Sequence, residues 1–265
     1  MSTPTLAPFR HANFRVLWTA TLASNLGGLI QTVGAAWMMT TIATSDDMVA
    51  LVQASTTLPV MIFSLAAGVL ADSFYRRNIM LVAQIFMMVV SACLAVFAVA
   101  GWLTPWLLLA FTFCIVCGTA LHNPSWQASM GDLVPREDLP GAVTLNSVGY
   151  NLMRSVGPAV GGLIVALAGA AFAFAVNALS YIALIRALVR WKPARPASTL
   201  PREAFGGALV VGLRYIAMSP NLLKVMCRSF VFGLAAVSVL ALLPLVTRDL
   251  VSGGAFAYGI ILGCF

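Results

Sequence analysis

Charged side chains are scarce in this sequence. Asp, Glu, Lys and Arg make up 9% of its 265 residues, whereas 61% are hydrophobic. Soluble domains carry about 25% charged residues, so this chain has too few to cover a water-exposed surface. Its apolar residues come in runs of about 18 or more, the length that crosses about 30 Å of hydrocarbon. The sequence therefore predicts an all-α, polytopic transmembrane helix bundle.

Side chains that carry catalytic chemistry are also few. The sequence has two histidines, His11 and His122, and it contains no H-x-x-x-H pattern, no clustered carboxylates and no phosphate-cradling glycine loop. Cys114 and Cys117 form a C-x-x-C within an apolar run. In such a run, a cysteine behaves as a small hydrophobic residue. We expect no catalytic residue, no metal and no cofactor. A membrane-embedded enzyme acting on lipids is the disfavoured alternative.

Hydrophobic runs predict seven complete spans and the start of an eighth near residue 255. The complete spans are predicted at 16–44, 49–71, 78–100, 104–125, 140–168, 171–190 and 222–246. Lys and Arg concentrate in alternate connections, and the segment from Arg186 to Arg228 alone holds eight of them. Basic loops stay on the cytoplasmic side, so we expect a cytoplasmic N-terminus. Asp46 and Asp47 then face outside.

The pattern also predicts a division of the chain. Residues 1–190 form a six-helix half, 191–221 a cytoplasmic linker, and 222–265 the start of a second half with span seven and a stub of span eight. Within the linker, Phe205, Leu209, Gly212 and Ile216 share one helical stripe, which favours a helix lying along the membrane surface. The chain looks truncated in its eighth span, and the alternative interpretation is a truncated remnant without activity. An in-frame continuation with about five further spans would decide between the two.

The predicted loop between spans two and three, GVLADSFYRR, resembles the signature loop of the major facilitator superfamily, G-x-x-x-D-R-x-G-R-R. Two positions depart from it, since Ser73 and Tyr75 replace a basic residue and a glycine. The matching residues are Gly68, Asp72, Arg76 and Arg77. The resemblance implies a twelve-span transporter built from two halves.

We interpret the charges of this loop, together with Asp132, as a conformational latch. Salt bridges of this kind hold in one state and break in another. The alternative is that the arginines only set the topology. Gly68 is expected to permit close approach of a neighbouring helix.

Predicted span five contains RSVGPAVGG, which is similar to the G-P-x-x-G-G motif of export branches of the superfamily. Gly157 and Gly161 form one pair four residues apart, and Pro158 and Gly162 form another, so two faces permit close packing. Pro158 is also expected to bend the helix. The surrounding stretch, residues 122–162, resembles the branch of enterobactin exporters and secretion effectors, which implies export of siderophores and drugs.

Polar residues inside spans are candidates for substrate or coupling sites, because such groups are costly in lipid. The candidates are Asn25, Gln31, His122, Asn123, Gln127 and Arg154. For those of span one, hydrogen bonding between helices is an equal alternative. His122 is also compatible with a structural role, and Arg154 with a structural ion pair to Asp132 or Asp72.

Taken together, the residues and the resemblance favour a plasma (inner) membrane exporter of small lipophilic or siderophore-like molecules. We expect it to work by alternating access, with the lipid bilayer and a small-molecule substrate as partners and no nucleic acid. Protons are a coupling partner only as an implication of the resemblance, because no acidic residue lies at mid-membrane in a complete predicted span.

Overall fold

A computed structural model describes residues 6–193, 207 and 214–264, except for the side chains at 64, 65, 69 and 71–73. All regular elements in that part of the chain are helical, as the sequence predicted. The main helices are α1 (Ala12–Ile42), α2 (Asp46–Ser73), α3 (Arg76–Val99), α4 (Pro105–Leu133), α5 (Leu139–Arg190), α6 (Pro220–Leu245) and α7 (Ala255–Cys264). A 3-10 turn, Ala7–Arg10, precedes α1, and a five-residue π-helix, Val246–Leu250, follows α6.

Helix α5 has 52 residues and is two span-length arms joined at Gly169. Gly169 has φ 82° and ψ 166°, a backbone conformation that is open to glycine and closed to other residues. The break falls between predicted spans five and six. Pro158, in contrast, lies within the continuous first arm.

Local sequence also sets where α4 begins. The hydroxyl of Thr104 accepts a hydrogen bond from the backbone nitrogen of Leu107 at 3.3 Å, and Pro105 occupies the first turn. Both features favour a helix start, because the first backbone N–H groups of a helix lack partners within it. The preceding turn uses Gly101 at φ 73°.

The bundle is organised around α5. Helix α1 packs along α5, α3 packs against both α5 and α4, and α2 packs mainly against α4. One apolar cluster includes Val33, Met39 and Phe174, and a second, at the end of the bundle near Arg76, includes Phe14 and Leu188. In lipid, such packing and interhelical hydrogen bonds hold helices together.

Four helical stretches in the described part are long and apolar enough to cross a membrane: α3, α4, α5 and Pro220–Leu250. Predicted spans one and two are also long helices, with 31 residues in α1 and 28 in α2. Of the predicted surface helix, Phe205, Leu209 and Gly212 lie outside the described residues, and 214–217 are helical around Ile216. Helix α6 touches mainly α2, and α7 docks against α5.

Candidate functional site

A polar cavity of about 230 Å³ lies between α1, α4 and the first arm of α5. It sits in the half of the bundle that holds Asp132 and the start of α3. Four of the six predicted substrate or coupling residues line it: Asn25, His122, Asn123 and Gln127. The structure thus brings together candidates that are about a hundred residues apart in the sequence.

Other lining residues escaped the sequence analysis as site residues. Thr21 lies on α1 four residues before Asn25, and the rest come from α4 and α5: Trp126, Asn146, Ser147, Tyr150 and Asn151. Asn146 and Tyr150 are four residues apart, as are Ser147 and Asn151, so they share a helix face. This spacing of polar residues is visible in the sequence as NSVGYN, residues 146–151. That stretch was used in the sequence analysis only as part of the resemblance to a transporter branch.

A larger groove, of about 610 Å³, lies at the opposite end of the bundle beside Gly169. The described residues in its walls are alanines and valines from α3 and the two arms of α5, together with Phe172. Since these side chains are all apolar, the groove has the chemistry of a surface that lipid covers. The smaller polar cavity is therefore the candidate site.

The walls of the polar cavity are held by hydrogen bonds, and none of the described residues that line it is Asp, Glu, Lys or Arg. Trp126 Nε1 donates to Asn146 Oδ1 at 2.9 Å, which joins α4 to α5. Asn151 Nδ2 donates to the carbonyl oxygen of Ser147 at 2.8 Å. Thr21 is buried, with 4% of its surface exposed, and its hydroxyl has no hydrogen-bond partner among the described residues.

Behind the cavity, His122 is anchored from α3 and α1. Its Nδ1 lies 3.4 Å from Gln84 Nε2, and Gln84 Oε1 accepts from the hydroxyl of Ser24 at 3.4 Å. All three side chains are buried. This chain fixes the imidazole at the edge of the cavity and gives His122 a structural role as well as a lining one.

Gln31, in contrast, does not line the cavity. Its Oε1 accepts hydrogen bonds from Ser91 Oγ at 2.7 Å and from Asn177 Nδ2. Asn177 Nδ2 also lies 3.1 Å from the hydroxyl of Tyr181, and the whole group is buried. Gln31 thus makes interhelical hydrogen bonds between α1, α3 and α5, which is the alternative that the sequence left open for span one.

Arg154 is not among the residues that line the cavity; it is exposed on α5, one helical turn after the lining residues Tyr150 and Asn151. The predicted pair of Arg154 with Asp132 is not formed. Asp132 Oδ2 instead accepts a hydrogen bond from Arg76 Nη1 at 3.1 Å. A pair with Asp72 falls outside the described side chains.

The predicted latch residues are divided between two sets of contacts. Arg76 Nη1 also donates to the carbonyl oxygen of Ala128 at 3.0 Å, so Arg76 ties the start of α3 to the end of α4. Arg77 instead donates to the last turn of α5, to Leu188 O at 2.8 Å and Val189 O at 3.0 Å. The expected close approach at Gly68 is not found, since a Cβ there would meet open space.

The two small faces of the G-P-x-x-G-G motif contact different helices. A Cβ on Gly157 would lie 2.8 Å from Leu29 Cβ of α1, and one on Gly161 would lie 3.0 Å from Ile30 Cα. A Cβ on Gly162 would lie 2.6 Å from the carbonyl oxygen of Ala255 in α7. Helix α5 is therefore held between α1 and α7 by glycine contacts.

At the end of the bundle away from the cavity, Arg248 joins the region after α6 to the α1–α2 connection. Its Nη2 lies 3.2 Å from Asp46 Oδ1, and its Nη1 donates to Thr40 O at 3.3 Å. Asp249 accepts from the same guanidinium at 2.6 and 3.0 Å. We call these residues the Arg248 clasp.

Among the described residues, no group of three or more His, Cys, Asp or Glu side chains could hold a metal ion. Cys114 and Cys117 are free thiols within α4. The cavity instead offers amides, hydroxyls, an imidazole and an indole, which suit reversible binding of a small molecule.

The chain is similar to known transporters. It is 25% identical to the staphyloferrin A transporter of Staphylococcus aureus over 89% of this chain and 59% of that protein. It is 26% identical to macrolide efflux protein A of Enterococcus faecalis over 78% of this chain and 67% of that protein. It thus spans about three fifths of the length of the first of these relatives.

A solved structure shows the same fold. It is a bacterial homologue of the human lysosomal transporter Spinster in an inward-facing, unoccupied conformation, with a TM-score of 0.69 and 16% identity. The similarity covers 97% of this chain and 60% of the other. At that identity the likeness concerns the fold alone.

The family described as transmembrane secretion effector matches residues 3–265 of this chain. The family and the relatives above are transporters of the major facilitator superfamily and not enzymes. Since the match covers nearly the whole sequence, the protein belongs to the transmembrane secretion effector family of major facilitator transporters.

Proposed function

We propose that this protein acts in the export of small molecules across the plasma (inner) membrane by alternating access. The observation that carries the proposal is the cavity between α1, α4 and α5, which is polar inside a bundle whose surface is apolar. Polar groups at membrane depth are tolerated where they line a cavity or meet protein partners. The names of the relatives, staphyloferrin A transporter and macrolide efflux protein, support lipophilic or siderophore-like cargo.

We place residues 1–190 in the first half of the transporter, 191–221 in a cytoplasmic linker and 222–265 at the start of the second half. Helix α7 of the second half docks on α5 of the first through Gly162 and Gly259. The staphyloferrin A transporter is longer than this chain. We therefore also propose that further helices complete the second half. A rocking motion of the halves about this contact would open the cavity to each side in turn.

The orientation proposed is a cytoplasmic N-terminus. Basic residues cluster at the cavity end of the bundle, where Arg76 and Arg77 lie, and the acidic pair Asp46 and Asp47 lies at the other. In a cysteine-free variant, a single cysteine at Tyr75 should be labelled only from the cytoplasmic side, and one at Trp102 only from outside. Labelling of both from the same side would contradict this orientation.

Transport itself is tested with the protein in inverted membrane vesicles. Vesicles that contain it should accumulate a fluorescent lipophilic dye faster than matched vesicles without it. The double variant Asn25→Leu and Asn146→Leu should lose most of that difference, whereas Gly131→Ala, outside the cavity, should keep it. Equal uptake with and without the protein would overturn export.

Proton coupling is carried over from the family resemblance. Among the described residues, those that line the cavity include no acidic side chain. Dissipating an imposed pH gradient across the vesicles should stop accumulation if protons drive it. Unchanged accumulation would point to another energy source.

A further inference from the structure

Arg154 is an exposed cation in the middle of the first arm of α5. It lies midway between Leu139, where α5 begins, and the break at Gly169. Among the described side chains it forms no ion pair. A charge at the centre of a span is costly, and one without a structural partner marks a functional position.

We propose that Arg154 and the polar cavity beside it together bind a carboxylate of the exported molecule. The proposal rests on the export function above and names the substrate class of the same site.

Arg154 shares a helix face with the cavity wall. Asn146, Tyr150 and Arg154 follow one another at intervals of four residues, and residues so spaced stack along one side of a helix. Asn146 and Tyr150 line the cavity, and Arg154 is one turn, about 5.4 Å, further along the axis. Helical side chains lean toward the N-terminus of their helix, which is the direction from Arg154 to the cavity. The long side chain of Arg154 can therefore reach the margin of the cavity.

This row of residues presents hydrogen-bond donors. Asn146 Oδ1 accepts from Trp126 Nε1 at 2.9 Å, so the amide nitrogen of Asn146 is the atom that can serve a ligand. The hydroxyl of Tyr150 and the planar guanidinium of Arg154 are donors as well. A carboxylate only accepts hydrogen bonds, and its two oxygens match the fork of a guanidinium.

Acidic side chains of the same end of the bundle are engaged with other cations. Asp132 Oδ2 lies 3.1 Å from Arg76 Nη1, and Asp138 Oδ2 lies 2.9 Å from His11 Nε2. The charge of Arg154 is thus available to a bound anion. A carboxylate brings one negative charge, whereas a phosphate monoester brings about 1.5–2. One guanidinium balances the carboxylate and leaves part of the phosphate charge uncompensated, which is unfavourable away from water.

Thr21 supplies independent evidence that the cavity holds a ligand. It lines the cavity and is only 4% exposed, and its hydroxyl has no hydrogen-bond partner among the described residues. Buried polar atoms without partners are rare because each one costs free energy. A hydroxyl or carbonyl group of the same bound molecule would satisfy Thr21.

The size of the cavity sets how much of a molecule it takes. Its volume of about 230 Å³ is below the roughly 300–1,000 Å³ of sites that enclose a drug-sized ligand. The cavity therefore accommodates the polar end of a molecule, and the remainder extends outward. The substrate class that follows is an organic acid whose carboxylate has a hydroxyl or carbonyl group nearby.

The test uses the full 265-residue protein in phosphatidylcholine nanodiscs and three dansyl probes that differ only in their terminal group. One ends in a carboxylate, one in the neutral carboxamide and one in a phosphate monoester. Dansyl fluorescence gives the dissociation constants without any need for transport, and empty nanodiscs correct for partition into lipid. We expect the carboxylate probe to bind at least about tenfold more tightly than the carboxamide, and more tightly than the phosphate.

Matched variants locate the binding. Arg154→Gln should abolish the preference for carboxylate over carboxamide, and Arg154→Lys should keep most of it because the charge remains. Arg186→Gln is the control, since Arg186 is an exposed arginine of the second arm of α5 that lines a different groove. Asn146→Asp keeps an acceptor for Trp126 but replaces the free amide nitrogen by an anionic oxygen, so it should weaken the carboxylate probe.

Equal affinities of the carboxylate and carboxamide probes for the unmodified protein would overturn the inference. So would a carboxylate preference that Arg154→Gln leaves intact, or tighter binding of the phosphate probe. If the preference depends on Arg154 and vesicles accumulate no dye, the carboxylate site stands and the proposed export fails. If vesicles accumulate dye and the carboxylate preference is absent, export stands and the carboxylate site fails.

Discussion

Arg76 and Arg77 are neighbours in the sequence, but their surroundings give them different roles. The Arg76–Asp132 pair is about one-third exposed, at 35% and 33% of the two side chains, and exposed pairs contribute about 0–1 kcal/mol. Arg77 donates to two carbonyl groups at the end of α5, where the last carbonyls of a helix lack partners. Arg77 is therefore suited to stability, and Arg76 to a contact that can break.

The two arginines should separate stability from transport. Arg77→Gln is expected to lower the free energy of unfolding by about 1.5–3 kcal/mol, because it removes charge-assisted hydrogen bonds. Asp132→Asn leaves the hydrogen bond from Arg76 to Ala128 O in place and should cost about 1 kcal/mol or less. Both Arg76→Gln and Asp132→Asn should reduce dye uptake strongly if the pair is a latch. Unfolding in mixed micelles and uptake in vesicles measure the two effects.

The charge-conserving variant Arg76→Lys is the control for uptake, since it keeps an ion pair with Asp132 within reach. Uptake that survives both Arg76→Gln and Asp132→Asn would leave these residues only a role in topology. A larger loss of stability in Asp132→Asn than in Arg77→Gln would contradict the assignment of roles.

Residue-level contacts show what the sequence could not supply. Asn25 and Gln31 were equal candidates for the cavity, but six residues of α-helix turn the chain by about 600°, which places the two on different faces. Gln31 is held by Ser91 and by Asn177, which is 146 residues away along the chain. Periodicity assigns a helix face, but only the packing of α1, α3 and α5 decides what each face meets.

At the scale of elements, the glycine contacts of α5 are not equivalent. Gly162 faces the backbone of α7, whose Ala255 O and Gly259 Cα would lie 2.6 and 3.0 Å from an added Cβ. Gly157 faces a leucine side chain of α1 instead. A side chain can shift more easily than a backbone, so Gly162 is the less tolerant position.

Gly162→Ala should therefore push α7 away from α5. We expect a loss of about 1–3 kcal/mol in the free energy of unfolding, as for other overpacked sites. Gly131→Ala is the matched control, because its Cβ meets open space within α4. It should be neutral or gain up to about 1 kcal/mol from helix propensity. Equal effects of the two substitutions in thermal unfolding would argue against backbone contact at Gly162.

The predicted ends of the spans match the structure where an apolar run and a helix end at the same residues. Gly169 separates two apolar runs, and the structure breaks α5 there. Span four was predicted to end at residue 125, but α4 continues to Leu133. The polar string from His122 onward looked like an exit from the membrane; it is a helix that presents polar groups to the cavity. Hydropathy reports transfer into lipid and does not report where backbone hydrogen bonding ends.

On the scale of the whole molecule, the two ends of the bundle differ. The cavity lies at the end where Arg76 meets Asp132, and the Arg248 clasp lies at the opposite end. Arg248 comes after α6, in the proposed second half, and Asp46 and Thr40 belong to the first. The clasp thus joins the two proposed halves, and the proposed rocking motion would have to break it to open this end of the bundle.

Weakening the clasp should raise access to the cavity from outside. In a cysteine-free background with Asn25→Cys, Arg248→Glu is expected to speed alkylation by a membrane-impermeant maleimide by roughly two- to fivefold, the modest effect of an exposed charge pair. Adding Asp46→Arg restores opposite charges and should return the rate toward the starting value. Arg136→Glu alters a charge at the cavity end and should leave outside labelling unchanged. If Arg248→Glu and the double variant label at the rate of the background, the two halves are not held by this clasp, and the outer closure must come from the packing of α7 on α5.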